Sequence, residues 1–284
     1  MPTQALHRLQ ILGAALLFST GGAAIKACAL SNWQVASFRS GIAALALLAC
    51  VPGGRRFWEP RALLVGAAYA STMVLFVSAN KLTTAANTIF LQSTAPLYLL
   101  LLSPWLLRER VRRLDVLFTA GLGVGLALFF FGSEPARTTA PAPLGGNVLG
   151  AMSGVTWALT LAGLRWLGRG TGAAPGRPET AVIAGNLIAC LACLPLASPV
   201  GSGRPLDWAL VVYLGLFQIG LAYLLLARGV RHVSALETSL LILLEPVLNA
   251  VWTWWIHGER PGPWSLAGCS IILASTLANS LRRR

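Results

Sequence analysis

The sequence predicts an all-α membrane protein with ten transmembrane helices, arranged as two inverted five-helix repeats. Three observations support this prediction. First, 56% of the 284 residues are hydrophobic and only 11% are charged, whereas a soluble domain carries about 25% charged residues. Second, apolar stretches long enough to cross a bilayer recur along the whole chain. Third, one stretch occurs twice, once in each half.

Each apolar stretch is interpreted as a helix, because in lipid every backbone polar group must be satisfied within its own segment. A span needs about 20 apolar residues to cross the hydrocarbon core. Proline and glycine do not argue against helices here, since both are tolerated in membrane helices. Numbered from the N-terminus, the predicted spans 1 to 10 cover residues 9–28, 33–51, 62–80, 83–107, 114–132, 146–167, 180–197, 207–228, 233–257 and 263–281.

The repeated stretch contains span 4 in the first half and span 9 in the second. At a shift of 150 residues, Pro96 matches Pro246 and Glu109 matches Glu259. Leucine matches are common in an apolar chain, but a proline followed in both copies by the same Glu-Arg pair is not. Such an internal repeat indicates two homologous halves. Further matches are Ala85 with Ala235, Thr88 with Thr238, Leu91 with Leu241, Trp105 with Trp255 and Arg110 with Arg260.

The chain divides at a short connection rich in Pro, Thr and Ala. Residues 1–132 form the first repeat with spans 1 to 5, residues 133–145 form an external connection, and residues 146–284 form the second repeat with spans 6 to 10. Because five is odd, two consecutive repeats must lie in the membrane with opposite orientations. This inverted-repeat plan is common in secondary transporters.

The positive charges predict the orientation. With a cytoplasmic N-terminus, 16 of the 22 Lys and Arg residues fall in cytoplasmic segments, five fall outside, and Arg39 lies within span 2. Such a bias in short loops places both termini in the cytoplasm. We therefore expect a multi-pass protein of the inner (cytoplasmic) membrane. The same segments account for the net charge of +13, so no nucleic-acid partner is expected.

The sequence contains no constellation typical of an enzyme. The three histidines lie near span ends, and neither a His-Glu-x-x-His nor a Gly-x-Ser-x-Gly motif occurs. A Walker-type Gly-Lys-Ser/Thr loop is also absent, which argues against ATP-driven pumping. Cys190 and Cys193 have a Cys-x-x-Cys spacing without a second ligand pair, so apolar packing is favoured. We expect no enzyme, metal or cofactor, and a monomer whose partners are a small-molecule substrate and the lipid bilayer.

The second copy reads Val233-Ser-Ala-Leu-Glu-Thr-Ser-Leu-Leu-Ile-Leu-Leu-Glu-Pro-Val247 and ends in His257-Gly258-Glu259-Arg260. A small-residue entry, a central proline and a Gly-Glu pair past the helix resemble the repeat of the ten-helix EamA-type exporters of the drug/metabolite transporter superfamily. The first copy departs twice, because Ala95 precedes its proline in place of Glu and Arg108 precedes Glu109 in place of Gly. Among branches, the pattern is most similar to the aromatic amino acid exporters.

The resemblance implies a central cavity near mid-membrane, lined by spans 1, 3, 4, 6, 8 and 9, with spans 5 and 10 behind. It also implies alternating access by rocking of the two halves. The expected function is export of small metabolites, above all amino acids and in particular aromatic ones. A carrier of drugs, organic cations or nucleotide-sugars is the alternative within the superfamily. A lipid-acting membrane enzyme or scramblase is the alternative from another class.

Polar residues at membrane depth are candidates for the wall of this cavity, because they are costly in lipid and usually face protein or water. Deep aromatic residues would add a π-rich surface for aromatic or planar cationic substrates. The predicted substrate-binding residues are Ser19, Asn87, Thr94, Tyr98, Trp157, Gln218, Tyr223, Thr238 and Glu245. Since proline leaves a carbonyl free and kinks a helix, Pro96 and Pro246 are predicted hinges, and Glu237 is a predicted gate residue.

Three charged residues have more than one interpretation. Glu245 serves either proton coupling or ammonium recognition, or else it forms a structural hydrogen bond to a neighbouring helix. Arg39, a few residues inside span 2, should either reach the interface or pair. Glu259 stands beside Arg260, and an interfacial ion pair that fixes the loop is the simpler interpretation.

Overall fold

The computed structural model describes residues 2–102, 113–131, 135–168, 177–200, 203–229, 241–242 and 244–282. Within these residues the regular elements are helices, apart from an isolated β-bridge between Arg137 and Ala140. The predicted all-α class is therefore confirmed.

The described helices of the first half follow the predicted order of spans 1 to 5. They are α1 (Pro2–Ser19), α2 (Gly21–Ala27), α3 (Asn32–Cys50), a short 3-10 helix (Gly54–Trp58), α4 (Pro60–Leu82), α5 (Ala85–Gln92), α6 (Ala95–Leu102) and α7 (Arg113–Phe131).

The described helices of the second half follow the order of spans 6 to 10. They are α8 (Pro143–Gly168), α9 (Pro178–Ala197), α10 (Pro205–Tyr213), a π-helix (Leu214–Leu221), α11 (Ala222–Gly229), α12 (Leu244–His257) and α13 (Pro263–Arg282).

Several described helices are long and apolar enough to cross a membrane, which indicates a multi-pass membrane protein. There are six such helices in the described part of the chain: Ala5–Ala27, Asn32–Cys50, Pro60–Leu82, Pro143–Gly168, Pro178–Ala197 and Pro205–Leu226. Val116–Phe131 and Pro263–Ser275 are shorter apolar helices. The count of ten spans remains a prediction, since parts of spans 4 and 9 lie outside the described residues.

Proline begins many of these helices, including α4, α8, α9, α10 and α13. A first-turn proline suits a helix start, because its fixed φ is already helical and its missing N–H would have had no intrahelical partner. α3 begins differently, with a capping box in which Ser31 Oγ accepts from Gln34 N and Gln34 Oε1 accepts from Ser31 N. These helix starts therefore follow from short local signals, either a first-turn proline or a capping box.

Within the described residues, three spans depart from a continuous α-helix. Span 1 is interrupted at Thr20, between α1 and α2. Span 4 is interrupted at Ser93 and Thr94, just before Pro96, which has no N–H to bond the carbonyl one turn earlier. Span 8 contains the π-helix, and π-helical segments occur frequently at functional sites. These departures lie where the two halves face each other.

Packing between the halves has a two-fold pattern. Span 3 (α4) packs against spans 6 and 7 (α8 and α9), and span 8 (the π-helix with α10 and α11) packs against spans 1 and 2 (α1 and α3). Exchanging the halves converts the first set of contacts into the second. Spans 2 and 7, 4 and 9, and 5 and 10 also pack on each other. The two repeats therefore share a packing pattern as well as a repeated stretch of sequence.

The connections from each odd span to the next even span meet at one end of the molecule, here called the polar end. Lys26 Nζ donates to Thr83 O at 2.8 Å and to Thr139 O at 2.5 Å, and it lies 2.8 Å from Glu259 Oε1. Asp207 Oδ1 accepts from Ala29 N at 2.7 Å. Span 1 thus ends, and span 6 begins, at the same end. The repeats fit the predicted inverted arrangement.

Candidate functional site

A buried arginine lies between the halves. Arg39 on α3 is 1% exposed, and its Nη2 donates to Met73 O at 3.3 Å and lies 3.7 Å from Met73 Sδ. Its Nε has no hydrogen-bond partner. The sequence led us to expect that Arg39 would reach the interface or pair with an acid. Instead it is buried, and no ion pair joins it to an acid of the described segments.

Tyr69 and Tyr223 lie near this arginine, and Phe18 packs on Tyr223. We call Phe18, Tyr69 and Tyr223 the aromatic cluster. The Tyr223 ring meets Phe18 edge to face at 5.2 Å and Tyr69 at 5.9 Å between centroids, a favourable geometry for ring pairs. The phenol groups of Tyr69 and Tyr223 interact with the Arg39 guanidinium electrostatically. Tyr69 OH also accepts from Asn186 Nδ2 at 3.3 Å. The cluster therefore combines side chains of α1 and α4 with one of α11, and its partner Asn186 lies on α9.

A glycine allows the close approach that forms this cluster. A Cβ added at Gly185 of α9 would lie 2.6 Å from Tyr69 Cδ1 and 2.7 Å from the backbone O of Gly66 on α4. Real carbon atoms do not approach so closely, so α4 and α9 can pack at this distance only because Gly185 has no side chain.

Glu245 lies near one member of this cluster, Tyr223. It is in the first turn of α12, half-buried, and close enough to Tyr223 for an electrostatic interaction. Tyr223 therefore interacts with both an acid and a base, Glu245 and Arg39.

A second polar group surrounds the interruption of span 1. A Cβ on Gly21 would lie 2.9 Å from Gln218 Nε2, and one on Gly22 would lie 2.6 Å from Asn249 Oδ1. Gln218 Oε1 and both amide atoms of Asn249 are buried without a hydrogen-bond partner. Because an unpaired buried polar atom costs about 1–3 kcal/mol, these amides are suited to bind a polar ligand group.

Ser19 joins span 1 to span 9. Its Oγ accepts from Trp252 Nε1 at 3.0 Å and donates to Leu16 O at 2.7 Å. The adjacent Thr20 Oγ1 lies 2.9 Å from Tyr213 OH. Ser19 and Gln218 thus flank the same interruption. Trp252 is half-buried at this position.

The predicted residues of span 4 follow its break. Thr94 is buried and donates through Oγ1 to Leu91 O at 2.6 Å. Tyr98 and Trp157 are half-buried, on α6 and α8. A Cβ on Gly154 of α8 would lie 3.3 Å from Tyr98 Cε2, so α8 passes close to the break. Of the two predicted hinges, Pro96 is exposed and Pro246 is buried.

Asn87 lies at the polar end rather than with the other predicted residues. Its Nδ2 donates to Asn147 Oδ1 at 3.1 Å, and Thr83 Oγ1 donates to the same oxygen at 2.8 Å. Asn147 Nδ2 in turn donates to Phe129 O at 2.9 Å. Asn87 therefore ties spans 3 and 4 to span 6.

A buried ion pair lies at the polar end. The Lys26 and Glu259 side chains are 3% and 1% exposed, and Glu259 Oε2 accepts from Ala85 N at 3.0 Å. The sequence had suggested Arg260 as the partner of Glu259. The partner differs because Gly258, with φ of 65°, ends α12 and turns the chain inward. Since Lys26 and Glu259 belong to different halves, the ion pair links them.

The remaining predicted residues, Thr238 and Glu237, lie outside the described residues, as does Glu109. Among the described segments, no group of three or more His, Cys, Asp or Glu side chains could hold a metal ion.

Sequence reasoning missed Tyr69 and Asn186. Both are polar residues in the middle of apolar spans, so the criterion of membrane depth that selected residues on spans 4 and 9 would have found them on spans 3 and 7. The sequence could not indicate that they touch.

Comparison with known proteins gives one family and one fold. The EamA-like transporter family matches residues 8–131 and again residues 144–281. A solved structure titled only "Crystal structure of protein" has a TM-score of 0.64 and 22% sequence identity, and 98% of each chain is covered. At this identity it shows the fold alone. No curated protein matches this chain.

Proposed function

Because the chain belongs to the EamA-like transporter family, we propose that it exports amino acids, aromatic ones among them, across the inner membrane by alternating access. The family supports transport of a small substrate. The finer proposal rests on one observation, the aromatic cluster with Glu245 at its side, built by helices of both halves.

The chemistry of this site suits an amino acid with an aromatic side chain. Phe18, Tyr69 and Tyr223 provide ring faces and edges for an apolar planar group. Glu245 provides a carboxylate for the substrate ammonium group, which the neighbouring Tyr223 ring can also attract. Since the contributing helices belong to opposed repeats, rocking of the halves would expose the site first to one side and then to the other.

The bonds of the polar end support a closed state on the predicted external side. With cytoplasmic termini, the connections that meet there lie outside. The Lys26–Glu259 ion pair joins the halves at this end, so outward opening would have to separate it.

The test is efflux of radiolabelled phenylalanine from proteoliposomes that contain the purified full-length protein. We expect efflux above that of empty liposomes, and loss of at least tenfold in Glu245→Gln. Glu59→Gln is the matched control, because Glu59 is an exposed acid at the start of α4. If the wild-type protein moves neither phenylalanine nor any other amino acid under any imposed gradient, the proposal is wrong.

Organic cations are the second candidate, because an acid beside a tyrosine is also a site for a planar or quaternary cation. Efflux of tetraphenylphosphonium in the absence of amino acid efflux would favour this candidate. It would again require Glu245, so the two candidates differ in the substrate that moves rather than in the effect of Glu245→Gln.

A further inference from the structure

Arg39 has far more hydrogen-bonding capacity than its surroundings use. The guanidinium has five N–H donors, and its Nη2 has a backbone acceptor, Met73 O, at 3.3 Å and a sulfur, Met73 Sδ, at 3.7 Å. Its Nε is buried without a partner. A guanidinium stays protonated in proteins, so Arg39 is a buried cation with unused donors.

A buried cation of this kind is costly unless an anion accompanies it. Removing a charge from water costs several kcal/mol, and only a well-placed counter-charge with hydrogen bonds offsets that cost. Within the described ranges, Lys26 pairs with Glu259 and Arg204 with Asp207, but no acid pairs with Arg39. The phenol groups of Tyr69 and Tyr223 supply dipoles rather than a full negative charge.

The position of Arg39 is that of a ligand-binding group. It is the eighth of the 19 residues of α3, which at 1.5 Å per residue places it about 10 Å along the helix, inside the membrane. The groups that surround it come from both halves, with Tyr69 and Met73 on α4 and Tyr223 on α11. Glu245, on α12, is close enough to the same Tyr223 for an electrostatic interaction.

We infer that Arg39 is the anion subsite of this transporter, binding the carboxylate of its substrate while Glu245 faces the ammonium group. This inference rests on the proposed function and specifies which residue reads the acid end of the substrate. The planar guanidinium matches a carboxylate with two parallel hydrogen bonds. Arg39 and Glu245 are then responsible for different ends of one zwitterion, with the aromatic cluster in contact with its side chain.

Three ligands that share a phenyl ring separate the two charges. Phenylalanine has both charges, 3-phenylpropionate has only the carboxylate, and phenethylamine has only the ammonium group. Dissociation constants would be measured by calorimetry on the purified full-length protein, with ligand-induced thermal shifts as a second readout. We expect the wild-type protein to bind all three.

Arg39→Gln should weaken binding of 3-phenylpropionate and phenylalanine by about 10- to 100-fold, because a hydrogen-bonded charge is lost. Phenethylamine should bind as before or more tightly. Glu245→Gln should weaken binding of phenethylamine and phenylalanine, whereas 3-phenylpropionate should bind as before or more tightly. Arg61→Gln is the matched control, because Arg61 is an exposed arginine that stacks on Trp166 at 5.2 Å. All three ligands should bind this variant with the wild-type dissociation constants.

Arg39→Lys keeps the experiment decisive if Arg39→Gln does not fold. Lysine retains the charge but not the fork of parallel donors. Arg39→Lys should therefore weaken binding of 3-phenylpropionate and phenylalanine by a smaller factor than Arg39→Gln. Equal affinity of 3-phenylpropionate for wild-type protein and a folded Arg39 variant would overturn the inference. The proposed function fails separately, if neither phenylalanine nor any other amino acid is transported while 3-phenylpropionate binding still depends on Arg39.

Discussion

At the scale of single residues, the site depends on a few positions where the halves approach each other closely. Gly185 is one of them, because any side chain there would collide with Tyr69 and with the backbone of Gly66. Backbone atoms cannot move aside as the end of a flexible side chain can, so the whole of α4 would have to shift.

Gly185→Ala should therefore destabilise the protein by about 1–3 kcal/mol, as expected for overpacking, and weaken phenylalanine binding through displacement of Tyr69. The measurements are thermal unfolding of the purified protein and calorimetric binding. Gly145→Ala is the control, since a Cβ at Gly145 on α8 meets nothing within 4 Å. Alanine there should be neutral or stabilising by up to about 1 kcal/mol. Equal stability of the two variants would contradict the packing argument.

The hydroxyl group of Tyr69 interacts with both Asn186 and Arg39. Tyr69→Phe removes the acceptor of Asn186 Nδ2 and one of the dipoles near Arg39, but it keeps the ring contact with Tyr223. We expect a fall of about 5- to 10-fold in affinity for carboxylate ligands, in line with one lost hydrogen bond, and an unchanged affinity for phenethylamine. A uniform loss for both ligand types would instead indicate a change in ring packing.

At the scale of helices, the interruptions in spans 1, 4 and 8 distinguish this bundle from a set of straight rods. In span 4 the α5 helix ends at Gln92, and Leu97 N bonds to Thr94 O at 2.8 Å as the new helix starts. Ser93 Oγ and Thr94 Oγ1 bond carbonyls of the preceding turn, at 2.7 Å and 2.6 Å. The same two carbonyls, of Ile89 and Leu91, also accept from the backbone N–H groups of Ser93 and Thr94, at 2.9 Å and 3.3 Å. The side-chain and backbone donors of Ser93 and Thr94 are therefore all satisfied at the break, as a membrane segment requires.

Pro96→Ala restores the missing N–H and should make span 4 more continuous. If this break is a hinge, transport rate should fall several-fold while the dissociation constant of phenylalanine changes little. Rates would be measured in proteoliposomes and binding by calorimetry. Pro60→Ala is the control, because a proline in the first turn of α4 interrupts no hydrogen bond. An unchanged rate in Pro96→Ala would exclude a hinge at this position.

At the scale of the whole molecule, the polar end holds the halves together on one side. Lys26 bonds to connections from both repeats, and Lys81 Nζ bonds to Cys28 O. Removing one partner of a buried ion pair leaves the other charge uncompensated, which costs about 3–5 kcal/mol. A cost of this size in the closed state alone would shift the population towards a state opened at this end.

Cys28 reports such opening directly, because it lies at the polar end and is 1% exposed. Burial raises the pKa of the Cys28 thiol, so little reactive thiolate forms at neutral pH. Lys26→Met should increase labelling of Cys28 by a membrane-impermeant maleimide about tenfold or more, as measured by mass spectrometry. Arg137→Gln, which changes an exposed residue at the same end, should not.

The double variant Lys26→Met with Glu259→Met sharpens this experiment. Replacing both charges removes the uncompensated acid, so labelling of Cys28 should return most of the way to the wild-type rate. If Lys26→Met leaves Cys28 as unreactive as in the wild-type protein, the ion pair does not control opening at this end.

Much of the fold could be predicted from the sequence because it depends on local or additive properties. Apolar stretches of sufficient length specify membrane helices, Pro96 specifies a break, and the repeated stretch specifies two homologous halves. The family followed from the same repeat. In contrast, the partners within the site could not be predicted, because they depend on how each helix is rotated and how deeply it lies.

The sequence by itself determined the helical membrane class, the two homologous halves and the membership of a transporter family, since hydropathy and repetition are properties of the chain. Only the tertiary structure decided that Glu259 pairs with Lys26, that Arg39 is buried beside Tyr69 and Tyr223, and that Asn87 lies at the polar end. The physical reason is that a buried charge or amide takes the partner that packing brings within about 3 Å. In an inverted repeat, that partner comes from the other half of the chain.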